Sequence, residues 1–301
     1  MNSNSHRLFI ILLNWNQLND TIECIDSIIY QTYKDLVIVV VDNGSTDNSV
    51  IEIRKRYPGI KIIENEKNLG FQGGMNVGIR YALSNDAELI LLLNNDIIAD
   101  PGMIRHLLEN FPDDAGIVSP IMYYYSKPSE IWSSGGDINP ILIESIKSHK
   151  NKKKIDKSTG LIERDFLPSC AWVVRKDVFE KIGYLDEVYF PIYYDDLDFC
   201  LRTRRAGYKL YINTSAKLWH KVSASSGGEY NPRERYLMAR NSGYYFRKNM
   251  KFWQSPFILL HRCGSAILWT GRLLIKRDYI GLKYYWKGLS VGWFGPMPDS
   301  H

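Results

Sequence analysis

The first half of the chain alternates short aliphatic and β-branched runs with segments of helical periodicity. The runs at 8–13, 36–41 and 89–93 are continuously apolar and end in turn-forming residues, which predicts buried strands. The segments between them repeat their apolar residues every three or four positions, as amphipathic helices do. The pattern therefore predicts an α/β fold with a Rossmann-like, mostly parallel central sheet flanked by helices.

Polar residues follow each of these three predicted strands. They are Asn14 and Asn16 after the first strand, Asp42 after the second, and Asn94, Asn95 and Asp96 after the third. Because the carboxyl ends of strands in open α/β sheets line the ligand crevice, these side chains should converge on a pocket the size of a nucleotide. We expect Asp42 to have a functional role, because a carboxylate at the end of a buried strand needs a ligand or cation to offset its burial.

A glycine-rich turn, NLGFQGGMN at 68–76, leads into a further predicted helix. Gly70 and Gly74 would let the backbone approach a ligand closely. The turn lacks the Lys and Ser/Thr of a P-loop and does not read G-x-G-x-x-G directly after a strand. A helix start that requires positive φ explains the glycines equally well.

Three carboxylates are crowded into four positions at Asp195, Asp196 and Asp198. Like charges this close raise one another's pKa and resist burial unless a cation, a helix N-terminus or an incoming proton offsets them. Catalysis is one explanation. The other is the acidic first turn of a solvated helix, because Leu197 and Leu201 follow at helical spacing.

Composition places the chain among soluble globular proteins rather than disordered ones. It has 301 residues, 45% hydrophobic and 24% charged, with a formal net charge of +5. This length predicts one large α/β domain with an appendage. The segment 132–163 loses the periodicity of the first half and contains the lysine run 152–154, so we expect it to be a loop or hairpin insertion. The four cysteines are widely scattered, and neither an export signal nor a transmembrane span of about 20 apolar residues is evident, so we expect a cytoplasmic protein.

Six motifs stand in order along the chain: IILLNWNQ, VVVDNGSTDNS, NLGFQGGMNVGIRYA, LLLNNDIIADPG, a long segment containing YYDDLDFCLR, and LWHKVSASSG. Together they resemble the inverting family 2 glycosyltransferases of the GT-A fold, in particular the bacterial rhamnosyltransferase-like members. The resemblance covers residues 7 to about 248. It implies an enzyme that moves a sugar, with L-rhamnose from dTDP-rhamnose as the first expectation, from a nucleoside diphosphate donor to a growing cell-surface glycan.

The resemblance also implies a role for the donor-side residues. Asp42 matches the residue that binds the base, and Asn76 and Gly74 match positions near the diphosphate. Asp96 matches the last position of the family's DxD motif, whose carboxylate holds Mn²⁺ or Mg²⁺ against the phosphates. Asn94 replaces the first Asp of that motif, and His220 matches a second metal ligand, which favours Mn²⁺.

On the acceptor side the resemblance implies that Asp196 is the general base that deprotonates the attacking hydroxyl. Asp195 would orient the acceptor. Asp198 is instead expected to start the helix or to pair with Arg202, four residues on. Two alternatives stay open: a transferase of this fold that uses a UDP-hexose, and a non-catalytic subunit that binds sugar nucleotides or glycans.

Residues 249–301 form a predicted helical extension, basic and aromatic, behind a catalytic domain at 1–248. One face of the predicted helix at 258–276 is apolar: Leu259, Leu260, Cys263, Ile267, Thr270 and Leu274. This helix would either contact an anionic membrane, as suits a polyprenyl-diphosphate-linked acceptor, or pack on the catalytic domain or a second subunit. No nucleic-acid motif accompanies the basic residues, so a nucleic-acid partner is not expected.

Overall fold

The computed structural model describes residues 7–109, 111–146, 160–221 and 231–298. The strands are β1 (Leu8–Asn14), β2 (Leu36–Asp42), β3 (Lys61–Glu64), β4 (Leu89–Asn94), β5 (Ile97–Ala99), β6 (Ala115–Tyr124), β7 (Lys127–Ser133), β8 (Asp137–Ile138), β9 (Ser145–Ile146), β10 (Leu161–Arg164), β11 (Ala171–Arg175) and β12 (Lys209–His220). The α-helices are α1 (Leu18–Ile29), α2 (Ser49–Arg56), α3 (Gly70–Leu83), α4 (Met103–Leu108), α5 (Lys176–Ile182), α6 (Asp195–Arg205), α7 (Pro232–Asn249), α8 (Ser255–Ile275) and α9 (Tyr279–Phe294). The three strands predicted at 8–13, 36–41 and 89–93 are therefore present.

Strand β1 shows why the chain folds into layers. Successive side chains of a strand point to opposite faces. Leu8 and Ile10 pack with α1, α2 and α4 on one face of the sheet, whereas Phe9 and Ile11 pack with α3, α5 and α6 on the other. Because both faces are covered by helices, the strand is apolar throughout instead of alternating with polar residues.

The main sheet runs in the order β10-β12-β6-β11-β4-β1-β2-β3. Strands β3, β2, β1 and β4 are mutually parallel, with crossover helices between them. Beyond β4 the sheet becomes mixed, because β11 pairs antiparallel with both β4 and β6 while β6 and β12 are parallel. The predicted α/β architecture is confirmed, and the antiparallel strands add a second half to the sheet.

The segment predicted as a loop or hairpin insertion at 132–163 contains the short antiparallel pair β8–β9 and the start of β10. The lysine run at 152–154 lies outside the described residues. Helix α5 follows β11 directly. Strand β11 begins at Ala171, after residues 166–170, which contain an isolated bridge from Phe166 to Gly136 and a turn.

Helices α7 and α9 cross at very close range. A Cβ atom built on Gly292 would lie 2.2 Å from the Arg240 carbonyl oxygen, and one on Gly288 would lie 2.4 Å from the Tyr236 carbonyl oxygen. Only glycine lets the two backbones approach this closely. The C-terminal helices are thus packed firmly against the helix that follows the central sheet.

Helix α8 contacts the rest of the protein along one narrow face. Ile258 and Leu273 are its buried apolar residues, and Arg262 donates to Glu144 from the β8–β9 hairpin at 3.1 Å. The apolar face predicted from the sequence points the other way, with Leu260 and Ile267 each more than 70% exposed. No helix in the described ranges has the length and apolarity that crossing a bilayer requires.

Candidate active site

The polar ends of β1 and β2 meet as the sequence predicts. Asn14 and Asp42 are register partners, and the Asn14 Nδ2 donates to the Asp42 carboxylate at 2.7 Å. The backbone N–H of Ser45 donates to the other carboxylate oxygen at 2.9 Å. Asp42 is buried and held by its neighbours, so its orientation is set before any ligand arrives.

A buried hydrogen-bond relay connects this corner to the end of β4. Asn95 donates to the Thr21 hydroxyl at 2.9 Å, and that hydroxyl donates to Asn14 at 2.7 Å. The relay fixes Asn95 and Asn14 relative to each other across two strands. Thr21 was not among the residues predicted from the sequence, because one threonine on the buried face of α1 gives no pattern.

Asn16 has a positive φ of 53° and caps the loop after β2. Its side-chain oxygen accepts from the backbone N–H groups of Thr46 and Asp47, at 2.8 and 3.3 Å. An amide that is engaged in this way shapes the loop around Asp42. Contact of Asn16 with a donor nucleotide stays a prediction.

The three predicted residues of the glycine-rich turn separate in space. Gly70 has a φ of 74° and lines the main cleft. Gly74 lies against β1, where an added Cβ would meet a methyl carbon of Leu13 at 2.4 Å. Asn76 is buried, and its amide bonds the backbone of Leu185 at 2.9 and 3.1 Å. Close packing accounts for a glycine at position 74, and the Asn76 amide is hydrogen-bonded within the protein, while the proximity of both residues to a bound diphosphate stays a prediction.

A cleft of about 430 Å³ opens at the carboxyl ends of the parallel strands. Its lining includes Gly70, Asn94, Asn95 and Asp96, together with aromatic and apolar side chains of Trp15, Phe71, Phe190, Ile192 and Leu237. Another cleft of about 400 Å³ lies at the opposite ends of the strands, around Glu88 and Arg175, and contains none of the predicted residues.

Asp96 and His220 face each other at one side of the main cleft. The Nε2 of His220 lies 3.1 Å from a carboxylate oxygen of Asp96, and both side chains are about nine-tenths buried. The Trp132 ring packs over the imidazole at 4.6 Å between centroids, and the Cys170 sulfur lies 3.9 Å from Nε2. Although burial alone would lower it, Cys170 and the Asp96 carboxylate raise the pKa of His220 to about 10.

This pair fits a divalent cation in part. Carboxylate oxygen and imidazole nitrogen are ligands of Mn²⁺, and the buried Asn94 Oδ1, which has no hydrogen-bond partner, lies at the same strand end. Among the described residues no group of three or more His, Cys, Asp and Glu side chains is placed to hold a metal. Asp96 and His220 are therefore the described side chains that would hold such an ion.

Asp195 and Asp196 begin helix α6, and Tyr194 separates them from the cleft-lining Tyr193. Burial raises the pKa of both carboxyl groups, and the charge of Asp196 raises that of Asp195 further. Gln72 of α3 lies beside Asp195, although neither of its buried amide atoms makes a hydrogen bond of normal geometry. A carboxylate with a raised pKa is a better proton acceptor than an ordinary one.

Asp198 has the structural role predicted for it. It is fully buried and accepts from Arg202 Nε at 2.7 Å, while Lys248 Nζ lies 3.0 Å away. Asn249 and the Tyr189 hydroxyl complete its partners. Burial opposes its ionisation, but Arg202 and Lys248 hold the pKa of Asp198 below its usual value. The third carboxylate of the crowded motif thus ties α6 to α7.

The loop before the acidic pair is held in an uncommon conformation. Tyr193 and Tyr194 have φ values of 82° and 73°, which non-glycine residues adopt at a cost. The buried Asn241 of α7 lies with its Nδ2 2.9 Å from the Tyr189 and Ile192 carbonyl oxygens and 3.0 Å from that of Tyr193. No sequence motif points to Asn241, since its importance arises only where α7 meets this loop.

The cleft at the ends of the parallel strands, the Asp96–His220 pair at its side and the acidic pair at the start of α6 together form the arrangement that the sequence motifs predict for a GT-A glycosyltransferase. The sequence profile of glycosyl transferase family 2 matches residues 9–183, more than half of the chain, so the protein belongs to that family.

The chain is similar to three curated relatives. It is 33% identical over 184 residues to the low-salt glycan biosynthesis hexosyltransferase Agl10 of Haloferax volcanii, covering 56% of this chain and 53% of that protein. It is 28% identical to the dTDP-rhamnosyl transferase RfbF of Shigella flexneri, covering 70% and 71%. It is 22% identical to an N-acetylglucosaminyl-diphospho-decaprenol L-rhamnosyltransferase of Mycobacterium tuberculosis, covering 75% and 79%. The chain thus spans about half the length of Agl10.

Two solved structures share the fold at low sequence identity. The mannosyltransferase PcManGT of Pyrobaculum calidifontis, in complex with GDP-Man and Mn²⁺, aligns with 96% of this chain and 87% of its own at a TM-score of 0.58 and 14% identity. GalNAc-T7 with UDP, GalNAc and Mn²⁺ aligns with 79% of this chain and 50% of its own at a TM-score of 0.61 and 13% identity. The GT-A fold expected from the sequence is confirmed.

Proposed function

We propose that this protein is a metal-dependent inverting glycosyltransferase that transfers L-rhamnose from dTDP-rhamnose to a growing glycan. The observation that carries the proposal is the pairing of two acidic sites: Asp96 with His220 at one part of the strand-end cleft, and Asp195 with Asp196 at the start of α6. A displacement at a sugar carbon needs both, because negative charge develops on the leaving diphosphate while a proton leaves the nucleophile.

The donor would lie along the strand ends. Asp42, fixed by Asn14, would accept a hydrogen bond from the base. Asn94 and Asn95 would face the ribose and diphosphate, and Gly70 would allow close approach of the backbone. A divalent cation, held by Asp96 and His220, would supply charge neutralisation for the departing nucleoside diphosphate.

In the reaction itself, Asp196 would accept the proton of the acceptor hydroxyl as its oxygen bonds to the anomeric carbon. The bond from that carbon to the diphosphate oxygen breaks, and its electron pair leaves with dTDP. Because attack occurs opposite the leaving group, one displacement inverts the anomeric centre. Asp195 would orient the acceptor. The raised pKa of Asp196 matches the strength of a base that works near neutral pH.

Rhamnose is supported by the similarity to RfbF, and a polyprenyl-diphosphate-linked acceptor by the similarity to the decaprenol-linked rhamnosyltransferase. The similarity to the hexosyltransferase Agl10 supports the alternative of a hexose donor. The apolar wall of the cleft, formed by Trp15, Phe190 and Ile192, suits a sugar face or a lipid-linked acceptor.

The test is a panel of nucleotide sugars incubated with the full chain and Mn²⁺, with release of nucleoside diphosphate as the readout. We expect dTDP-rhamnose to be consumed fastest and chelation of the metal to stop consumption. Preferential turnover of a UDP- or GDP-hexose would overturn the rhamnose assignment. Tight donor binding without turnover of any donor in the presence of acceptor extracts would instead indicate a binding subunit.

A further inference from the structure

Helix α8 exposes an apolar stripe along its outer face. The stripe consists of Phe257, Leu260, Ile267, Leu268, Leu274 and Ile275. Intervals of three and seven residues separate them along the helix, which places them on one side of it, with Gly264 and Gly271 between them. Leu260, Ile267, Leu268 and Ile275 are 71–85% exposed, far more than apolar side chains on a face that packs within the chain.

Large apolar side chains are also exposed in the segments that precede and follow α8 in the sequence. Phe252 and Trp253, just before α8, are 96% and 54% exposed. Tyr279 and Ile280, which begin α9, are 64% and 65% exposed. Helices α8 and α9 pack together, with Trp286 Nε1 donating to the Thr270 hydroxyl at 3.1 Å. Exposed apolar surface of this extent marks an interaction site.

The same part of the chain holds all of its net positive charge. Residues 249–301 contain seven Lys and Arg against two Asp, a net charge of +5, which equals that of the whole chain. Helix α8 contains no acidic residue. Arg272, Arg277, Lys283 and Lys287 are exposed around the α8–α9 turn and along α9.

We propose that the apolar stripe and its basic surroundings dock the protein onto an anionic lipid bilayer. Apolar side chains with Trp, Tyr, Lys and Arg around them are what an interfacial helix presents to acyl chains and acidic head groups. A helix of 21 residues is roughly 30 Å long and would lie along the surface. A second copy of this chain fits the surface less well, since two like faces would bring their positive charges together.

Helix α7 connects the surface to the cleft. The N-terminal part of α7 lines the cleft through Arg233 and Leu237, and its body packs on α9 at Gly288 and Gly292. Docking would therefore hold the cleft at a fixed position relative to the bilayer, as a lipid-linked acceptor requires. Docking itself does not depend on the proposed reaction.

The experiment is co-sedimentation of the full chain with extruded vesicles, either of phosphatidylcholine alone or of equal parts phosphatidylcholine and phosphatidylglycerol. We expect binding to the anionic vesicles that weakens as salt rises. The triple variant Leu260→Glu, Ile267→Glu, Leu268→Glu should lower the partition coefficient by about a hundredfold or more. Ile51→Glu, at a position 64% exposed on α2, is the matched control and should bind as wild type.

The electrostatic part is tested separately. Arg272→Gln with Arg277→Gln should lower the partition coefficient by about tenfold or more, whereas Lys34→Gln with Lys55→Gln, exposed elsewhere, should not. Far-UV circular dichroism checks that each variant is folded, and donor turnover on a soluble acceptor tests the proposed reaction independently.

Two results would overturn the proposal. One is sedimentation with neither vesicle, or sedimentation that the triple variant leaves unchanged. The other is a wild-type protein that is dimeric by light scattering and does not bind vesicles, together with a triple variant that is monomeric. The apolar stripe would then be a contact between two copies of the chain.

Discussion

Asp196 is one half of an acidic pair in which burial raises both pKa values, and it is the residue on which the proposed chemistry depends. We predict that Asp196→Asn lowers the rate of transfer by about a thousandfold while dTDP affinity stays within about twofold. An amide keeps the shape of the side chain but cannot accept the proton. Single-turnover transfer and calorimetric titration with dTDP separate the two quantities.

The control for that variant is Asp177→Asn on α5, where the carboxylate pairs with Arg175 away from the cleft. It should leave transfer unchanged. Undiminished transfer by Asp196→Asn would show that another group accepts the proton.

Asp195 gives a prediction about stability and pH. Its pKa is raised in the folded protein, first by burial and then by Asp196, so the folded state holds a proton that the unfolded state has released. Stability is therefore lost as pH rises from the unfolded-state value near 4 through the raised folded-state value. Asp195→Asn removes this loss, and its advantage over wild type should grow to roughly 1–2 kcal/mol between pH 5 and pH 8.

Urea unfolding at several pH values measures that advantage. The control is Asp114→Asn, because Lys209 lowers the pKa of the Asp114 carboxyl and the stability it contributes is constant above pH 5. This variant should show no gain that grows with pH. A pH-independent difference for Asp195→Asn would mean that the Asp195 carboxyl group titrates alike in both states.

At the scale of elements, the start of α6 is positioned by α7. The Asn241 amide nitrogen lies 2.9–3.0 Å from three carbonyl oxygens of the loop 189–193. Tyr193 and Tyr194, which both have positive φ, lead from that loop into the acidic pair. Without the amide, the loop loses the hydrogen bonds that offset its strained backbone. Asn241 is therefore a positioning residue for Asp195 and Asp196.

We predict that Asn241→Leu lowers kcat by about 10- to 100-fold, with a much smaller change in the KM for the donor, because the base moves while the strand ends do not. Thr203→Ala, which removes a buried hydroxyl farther along α6, is the control and should cost stability with kcat unchanged. Equal losses of kcat in the two variants would show that Asn241 contributes only to packing and does not position the acidic pair.

At the scale of the whole molecule, the C-terminal helices are joined to the catalytic sheet by glycine contacts. We predict that Gly292→Ala destabilises the protein by about 2 kcal/mol, since the new methyl group would lie 2.2 Å from the Arg240 carbonyl oxygen. Gly264→Ala on α8, where the added Cβ meets nothing within 4 Å, should instead be neutral or stabilising by up to about 1 kcal/mol. Chemical unfolding monitored by tryptophan fluorescence compares the pair.

Equal effects of the two substitutions would contradict the close crossing of α7 and α9. A destabilised Gly292→Ala variant should also lose binding to anionic vesicles if the two helices act as one unit with the docking surface. The proposed division into a domain at 1–248 and an extension at 249–301 predicts that the extension becomes protease-sensitive first in this variant.

Much of the fold and of the candidate site could be predicted from the sequence. Apolar runs that end in Asn14, Asp42 and Asn94 predict three parallel strands and the edge at which their polar residues gather, because the continuous apolar runs and the helices that separate them can both be read along the chain. Asp198 and Arg202, four residues apart on one helix, form the predicted ion pair for the same reason. The family motifs add the candidate roles of Asp96, Asp196 and His220.

Only the tertiary structure separates residues that look alike in sequence. Gly70 lines the cleft, whereas Gly74 packs against a strand. Asn95 belongs to the hydrogen-bond relay through Thr21, whereas Asn76 is hydrogen-bonded to the backbone of Leu185. Each outcome depends on a segment that is distant in sequence. The same holds for α8, whose amphipathic pattern leaves both orientations open. The neighbouring elements pack against the face that carries Ile258 and Leu273, and the apolar stripe stays exposed. The burial of a helix face is decided by what packs against it and not by the helix itself.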